Sequence, residues 1–148
     1  MKNIFFYLML LSISSIFSQN ITFVNSELHL ENGAPFSEAT IVNGIIYLSG
    51  EIGTLPNNKV IDGGIFPETL QALSNIKNKL ERMGSSIDNV FKCTCMLSDI
   101  KDWPEMSKAY KTFFKKEKLP SRSAFAGSGL ALNAKIEIEC MAILKKQQ

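Results

Sequence analysis

Between residues 66 and 83 apolar side chains recur at Leu73, Ile76, Leu80 and Met83, a three-and-four spacing that places them on one stripe of a helix. Gly84 follows where a helix end favours glycine, so a helix is predicted over Phe66 to Met83. Val90 to Leu97 alternates instead, with Phe91, Cys93, Cys95 and Leu97 sharing one side of a strand. Asp102 and Glu105 then have capping-box spacing, opening a second helix whose buried stripe is Met106, Tyr110, Phe113 and Phe114. Near the C-terminus, Ile136, Ile138 and Cys140 share one strand face while Glu137 and Glu139 share its reverse. Upstream, Ala39 to Val42, Asn43-Gly44 and Ile45 to Ser49 read as a hairpin, because Asn-Gly accepts the positive φ of a tight primed turn. Ile21 to Phe23 and Leu28 to Leu30 read as further short strands, and Leu55-Pro56-Asn57-Asn58 as loop.

In order this is β-β-α-β-α-β-β, an α+β fold in which two helices cover one face of a mixed sheet. The other face, carrying Thr94, Met96 and Glu137, is left without cover from its own chain. A partly apolar open face calls for a partner, and self-association is the economical one.

The first residues follow another rule. Lys2 gives a positive start, Ile4 to Phe17 is nearly all apolar, and Ser18 supplies a small residue before Gln19. That is the pattern of a signal peptide over 1–18, followed by one domain over 19–148. The apolar run is shorter than the ~20 residues of a membrane helix, although an uncleaved anchor is the alternative. The expected product is secreted, and in a Gram-negative bacterium periplasmic.

With 16 Lys+Arg against 14 Asp+Glu and a net charge of +2, the chain does not advertise a nucleic-acid partner. Lys115, Lys116 and Lys118 form a small basic group interrupted by Glu117, read as the solvated end of a helix. His29 is the only histidine and reads as a strand residue, which leaves a nucleophile triad or a metal site with little support. Three cysteines cannot all pair within one chain. Cys93 and Cys95 face the same way and are poorly placed to bridge each other, whereas either can meet Cys140 across the sheet or remain a buried thiol.

The chemistry is sought between Leu119 and Ala142. Arg122 follows Pro120 on or beside a strand near the acidic face of Glu137 and Glu139. A guanidinium binds a small carboxylate through paired hydrogen bonds, and a neighbouring acid can handle protons. The plainer alternative is a salt bridge between Arg122 and one glutamate on a solvated sheet.

Pro120-Ser121-Arg122-Ser123 followed by Ile136-Glu137-Ile138-Glu139 resembles the C-terminal signature of the RidA/YjgF family of reactive-imine deaminases. Three other stretches agree in order: Ala34-Pro35-Phe36-Ser37-Glu38-Ala39, Tyr47-Leu48-Ser49-Gly50-Glu51-Ile52, and Gly84-Ser85-Ser86 with Val90-Phe91-Lys92. The resemblance implies a chorismate-mutase-like fold, a homotrimer with sites in the clefts between subunits, and no metal or organic cofactor. It implies hydrolysis of small enamines or imines of the 2-aminoacrylate type to 2-oxo acids and ammonia. By the same resemblance Arg122 holds the substrate carboxylate, Glu137 positions or activates water, and Ser49, Gly50, Phe36, Ser123 and Ala124 line the pocket. Phe36 stands where archetypal members have tyrosine, Ala124 where many have cysteine, Ser107 where a helix asparagine is common, and Glu51 where glutamine is common. A non-catalytic module binding small carboxylates in the same cleft is the alternative. Endoribonuclease activity, ascribed to some relatives, ranks last, because no basic stripe with interleaved aromatics is present.

Overall fold

A computed structural model describes residues 20–145; the expected signal peptide over 1–18 lies outside the described residues. Seven strands form one sheet: β1 (Ile21–Val24), β2 (Ala39–Val42), β3 (Ile45–Leu48), β4 (Glu51–Ile52), β5 (Val90–Leu97), β6 (Ser121–Ala126) and β7 (Ile136–Ile143). Among the described residues three α-helices accompany them: α1 (Glu27–Glu31), α2 (Ile65–Arg82) and α3 (Trp103–Phe113). The strand order is β1-β2-β3-β7-β5-β6, with β4 also pairing to β7. Only β5 and β6 run parallel, joined through α3, so the sheet is mixed as expected.

The hairpin between β2 and β3 turns at Asn43 and Gly44, both with positive φ, 51° and 78°, as a primed turn requires. Helix α2 begins one residue before its expected start and closes with a Schellman arrangement. The Ser85 N–H donates to the Leu80 carbonyl at 2.8 Å and the Gly84 N–H to Glu81 at 3.1 Å, with Gly84 at φ 77°.

Leu73, Ile76 and Leu80 of α2 and Met106 and Tyr110 of α3 pack onto Ile46, Cys93, Cys95, Leu97, Ile136, Ile138 and Cys140. A fully buried Leu or Ile in such a layer contributes about 1.5–3 kcal/mol relative to exposure. The helices press close to the sheet at Gly53, where an added Cβ would sit 2.8 Å from the Glu68 carbonyl oxygen and 2.9 Å from its Cα. Strand β4 and helix α2 therefore touch backbone to backbone, which holds the Gly50–Gly53 segment in place. The opposite sheet face carries Tyr47, Lys92, Thr94, Met96, Glu137, Glu139 and Met141 and has no cover from the described residues.

Three expectations are corrected. Leu28 to Leu30 belongs to helix α1, not a strand, because the Ser26 hydroxyl accepts from the His29 N–H at 3.2 Å and caps a helical turn. Phe91 leaves the buried row and is 40% exposed. A register shift between Val90 and Lys92 breaks the alternation there, so Val90 takes the inward place. The Asp102–Glu105 capping box does not form. Asp102 is already helical at φ −76°, ψ −9°, since a short 3-10 turn begins at Asp99, whose side chain accepts from the Lys101 N–H. The Asp102 carboxylate accepts instead from Lys135 Nζ at 3.4 Å.

Candidate functional site

Arg122 lies on edge strand β6 in register with Cys93 of β5, which directs its side chain toward the helix-covered face. There α3 offers Trp103, Met106, Ser107 and Tyr110, spaced so that all four look along one stripe. Arg122 Nη2 donates to Ser107 Oγ at 3.0 Å and Nη1 points at Met106 Sδ at 3.5 Å. The guanidinium carbon lies 4.7 Å from the Tyr110 ring centre and 5.7 Å from that of Trp103. Aromatic faces stabilise a guanidinium while leaving its remaining N–H groups available to an acceptor. Among the described residues no carboxylate forms an ion pair with Arg122. The salt-bridge alternative is thus not realised within one chain.

Glu137 is elsewhere. It stands opposite Met96 on β5, between inward-facing Ile136 and Ile138, and so projects from the open face. Its carboxyl lies against Gly50, where an added Cβ would overlap Oε1. The absence of a side chain at Gly50 is what admits Glu137 beside the strand end. One chain therefore holds Arg122 and Glu137 on opposite faces of its sheet and does not unite them. This corrects any picture of a single-chain Arg–Glu pocket, and its cause is register: 122 pairs with an inward residue and 137 with an outward one.

The remaining expected residues divide between these halves. The Ser49 hydroxyl donates to the Ser37 carbonyl at 2.7 Å, bracing the turn into Gly50. Phe36 is 57% exposed and stacks edge-on against His29 at 5.5 Å, while its carbonyl oxygen is 2.5 Å from His29 Nε2. Ser123 faces the open side and accepts from Lys92 Nζ at 3.0 Å. Ala124 shares the Arg122 side, in register with Cys95.

Sequence reasoning missed the roles of Trp103 and Ser107. Trp103 is 44% exposed beside the guanidinium, and the Ser107 hydroxyl accepts from Arg122. The signal that could have found them is their i, i+4 spacing on the helix preceding the arginine strand.

It also missed a buried charge cluster. Glu38 and Glu51 are 4% and 9% exposed at a groove of about 380 Å³ shared with Asn75, Lys79 and Arg82. Lys79 bridges Glu51 and Glu38, and Arg82 Nη2 lies 3.1 Å from Glu38 Oε1. Burial pushes the Glu51 carboxyl above the ordinary glutamate range, with Lys79 limiting the rise. Burial would also raise Glu38, but hydrogen bonds from Arg82 and the Ser26 N–H, with the Lys79 charge, outweigh it and leave that carboxyl low.

The architecture and the aromatic-lined arginine define a class: small α+β chains with one helix-covered sheet face and a strand-borne guanidinium beneath a helix. The family model described as Endoribonuclease L-PSP matches residues 27–144, and the chain belongs to that family, RidA/YjgF. It is 38% identical over 110 residues to the human 2-iminobutanoate/2-iminopropanoate deaminase, covering 74% of this chain and 80% of that protein. It is 39% identical over 109 residues to Protein HMF1 of Saccharomyces cerevisiae, covering 74% and 84%. The crystal structure of YEO7_yeast superposes with a TM-score of 0.75 at 34% identity, covering 85% of this chain and all of that one.

Proposed function

We propose that the protein hydrolyses small enamines and imines of the 2-aminoacrylate type to 2-oxo acids and ammonia, at clefts where copies of the chain meet. The observation that carries this reading is Arg122, held between Trp103 and Tyr110 without a carboxylate partner among the described residues. Since one chain keeps Arg122 and Glu137 on opposite sheet faces, the complete site takes Arg122 from one copy and Glu137 from another. The uncovered sheet face supports such an assembly, and a homotrimer of chorismate-mutase-like type is the arrangement proposed.

In this mechanism the enamine tautomerises to the imine and Arg122 grips its carboxylate through paired hydrogen bonds. Water adds to the imine carbon as Glu137 takes its proton and passes it to nitrogen, giving a tetrahedral aminoalcohol. The hydroxyl proton then moves to nitrogen, the C–N bond breaks, the carbonyl forms, and ammonia leaves a 2-oxo acid with Glu137 again a carboxylate. An imine is already electrophilic, so orientation and charge complementarity can supply the barrier lowering. The test is ammonia release from imine generated in situ. Arg122→Ala should abolish it while light scattering shows an unchanged oligomer; retained turnover would remove Arg122 from the mechanism.

A second reading, a non-catalytic module for small carboxylates in the same cleft, draws on Phe36, an exposed ring with no hydroxyl to donate. Stabilisation by a small 2-oxo acid without ammonia release would favour it. RNA cleavage has the least support. We further propose export directed by residues 1–18, for which the mass of the exported protein is the test.

A further inference from the structure

The sheet register resolves a choice that the cysteine spacing leaves open. Cys93 of β5 stands directly opposite Cys140 of antiparallel β7, whereas Cys95 stands opposite Ile138. The Cys93 and Cys140 sulfurs are 2.8 Å apart, both in the core. Directly opposed antiparallel residues have Cα atoms about 4.5–5.5 Å apart, inside the range a disulfide spans. Both side chains already point to the same face, so bonding needs only the sulfurs to close to about 2.05 Å, with no slip of either strand. Cys95 has no such neighbour, and burial pushes its thiol up to about 12.

The surroundings set this pair apart from ordinary buried thiols. Cys140, Cys93 and Arg122 form one row across three adjacent strands, because Cys93 pairs with both of the others. The buried Tyr110 hydroxyl faces Cys93. A hydrogen bond from the Cys140 thiol, with smaller help from Tyr110 and the Arg122 charge, lowers the Cys93 thiol against the opposing effect of burial.

We propose that Cys93 and Cys140 are oxidised to a buried disulfide tying β5 to β7, with Cys95 remaining a free thiol. The oxidant is a small disulfide such as oxidised glutathione, acting as the chain folds and before the core closes. The Cys93 thiolate attacks one glutathione sulfur, breaking its S–S bond and releasing a glutathione thiolate. The Cys140 thiolate then attacks the Cys93 sulfur of the mixed disulfide and releases the second. The protein pair is oxidised by two electrons, one glutathione disulfide is reduced, and the two thiol protons end on the two glutathiones. The bond would sit beside Arg122 in the same row and tie β5, the neighbour of the Arg122 strand, to β7, the strand of Glu137.

The test refolds the full chain in a buffer of oxidised and reduced glutathione, quenches in acid, denatures, and alkylates remaining thiols before mass spectrometry. One alkylated cysteine per chain is expected, with the tryptic peptide of residues 93–101 joined to that of 136–145. Cys93 and Cys95 share a peptide, so single substitutions assign the bond. Cys95→Ala should keep the linked pair and leave no alkylated thiol, whereas Cys93→Ala should lose it and leave two. Should a variant fail to fold, fragmentation of the wild-type linked peptides between residues 93 and 95 locates the sulfur instead. Three alkylated cysteines in refolded wild type, or a bond mapped to Cys95, would overturn the proposal.

Discussion

Replacing Lys79 with methionine tests the buried charge cluster, because it removes the cation while keeping most of the stem's bulk. Lys79 is the charge that serves both Glu51 and Glu38, and its side chain is 20% exposed against 11% and 6% for the two acids. Glu38 keeps Arg82 and the Ser26 N–H; Glu51 keeps no cation among the described ion pairs. Breaking a buried pair from one side costs about 3–5 kcal/mol. The lower figure applies here, since Lys79 is partly solvated and the groove admits water. The cost depends on pH with a defined sign. Glu51 has a folded pKa above the ordinary glutamate value of 4.5, so its stability contribution is complete below that value and is lost as pH rises through the folded pKa. Without Lys79 that pKa climbs further and the loss deepens. Glu38, held low, contributes above 4.5 and loses this as pH falls through its folded pKa; losing Lys79 shrinks that contribution too. Both effects make Lys79→Met most harmful near neutrality. Urea unfolding followed by circular dichroism should give a penalty of about 3 kcal/mol near pH 7 that falls to about 1 kcal/mol or less near pH 4. Lys77→Met is the control: its pair with Glu81 is half exposed, and such a pair contributes about 0–1 kcal/mol. An equal penalty for Lys79→Met at both pH values would refute the reasoning.

Other expectations are narrower. Gly50→Ala should displace the Glu137 carboxyl and suppress ammonia release with little change in melting temperature, while Gly53→Ala, meeting the Glu68 backbone, should lower stability by about 1–3 kcal/mol; reversed outcomes would mean the two glycines are wrongly assigned. Ser107→Ala removes the hydroxyl that orients Arg122 and should weaken small-carboxylate binding by about 1.5–3 kcal/mol in calorimetry; unchanged affinity would make Ser107 a bystander. The oxidised protein, with a bridge across 47 residues of sequence, should unfold at higher urea than the reduced protein, with about 4 kcal/mol as the ceiling set by loop entropy.

Much of the frame was legible because α2, α3, β5 and β7 each repeat one period over eight or more residues. Helix α1 was not, since Leu28-x-Leu30 mimics strand alternation and only Ser26 betrays a helical start. Phe91 obeys the alternation on paper, yet a bulge, a property of the strand pair and not of either sequence, turns it outward. Arg122 and Glu137 were legible as chemistry and illegible as geometry: which side of a sheet a residue takes depends on its partner's register, and that is written in another strand. The cluster of Glu38, Glu51, Lys79 and Arg82 was hidden by separations of 28 and 44 residues, although Asn75, Lys79 and Arg82 do form a polar stripe along α2.

Strand β7 is the last of the described strands and yet bonds to β3, β4 and β5 in the interior of the sheet. During synthesis, the first part of the sheet and its β5–β6 pair have nothing between them until residues 136 to 143 emerge. At translation rates of about 5–20 residues per second, the β1-β2-β3 and β5–β6 parts wait several seconds before β7 can join them. Closing of the sheet therefore waits for β7, and a nascent copy stalled short of Ile136 should stay open to proteases and incapable of joining its fellows.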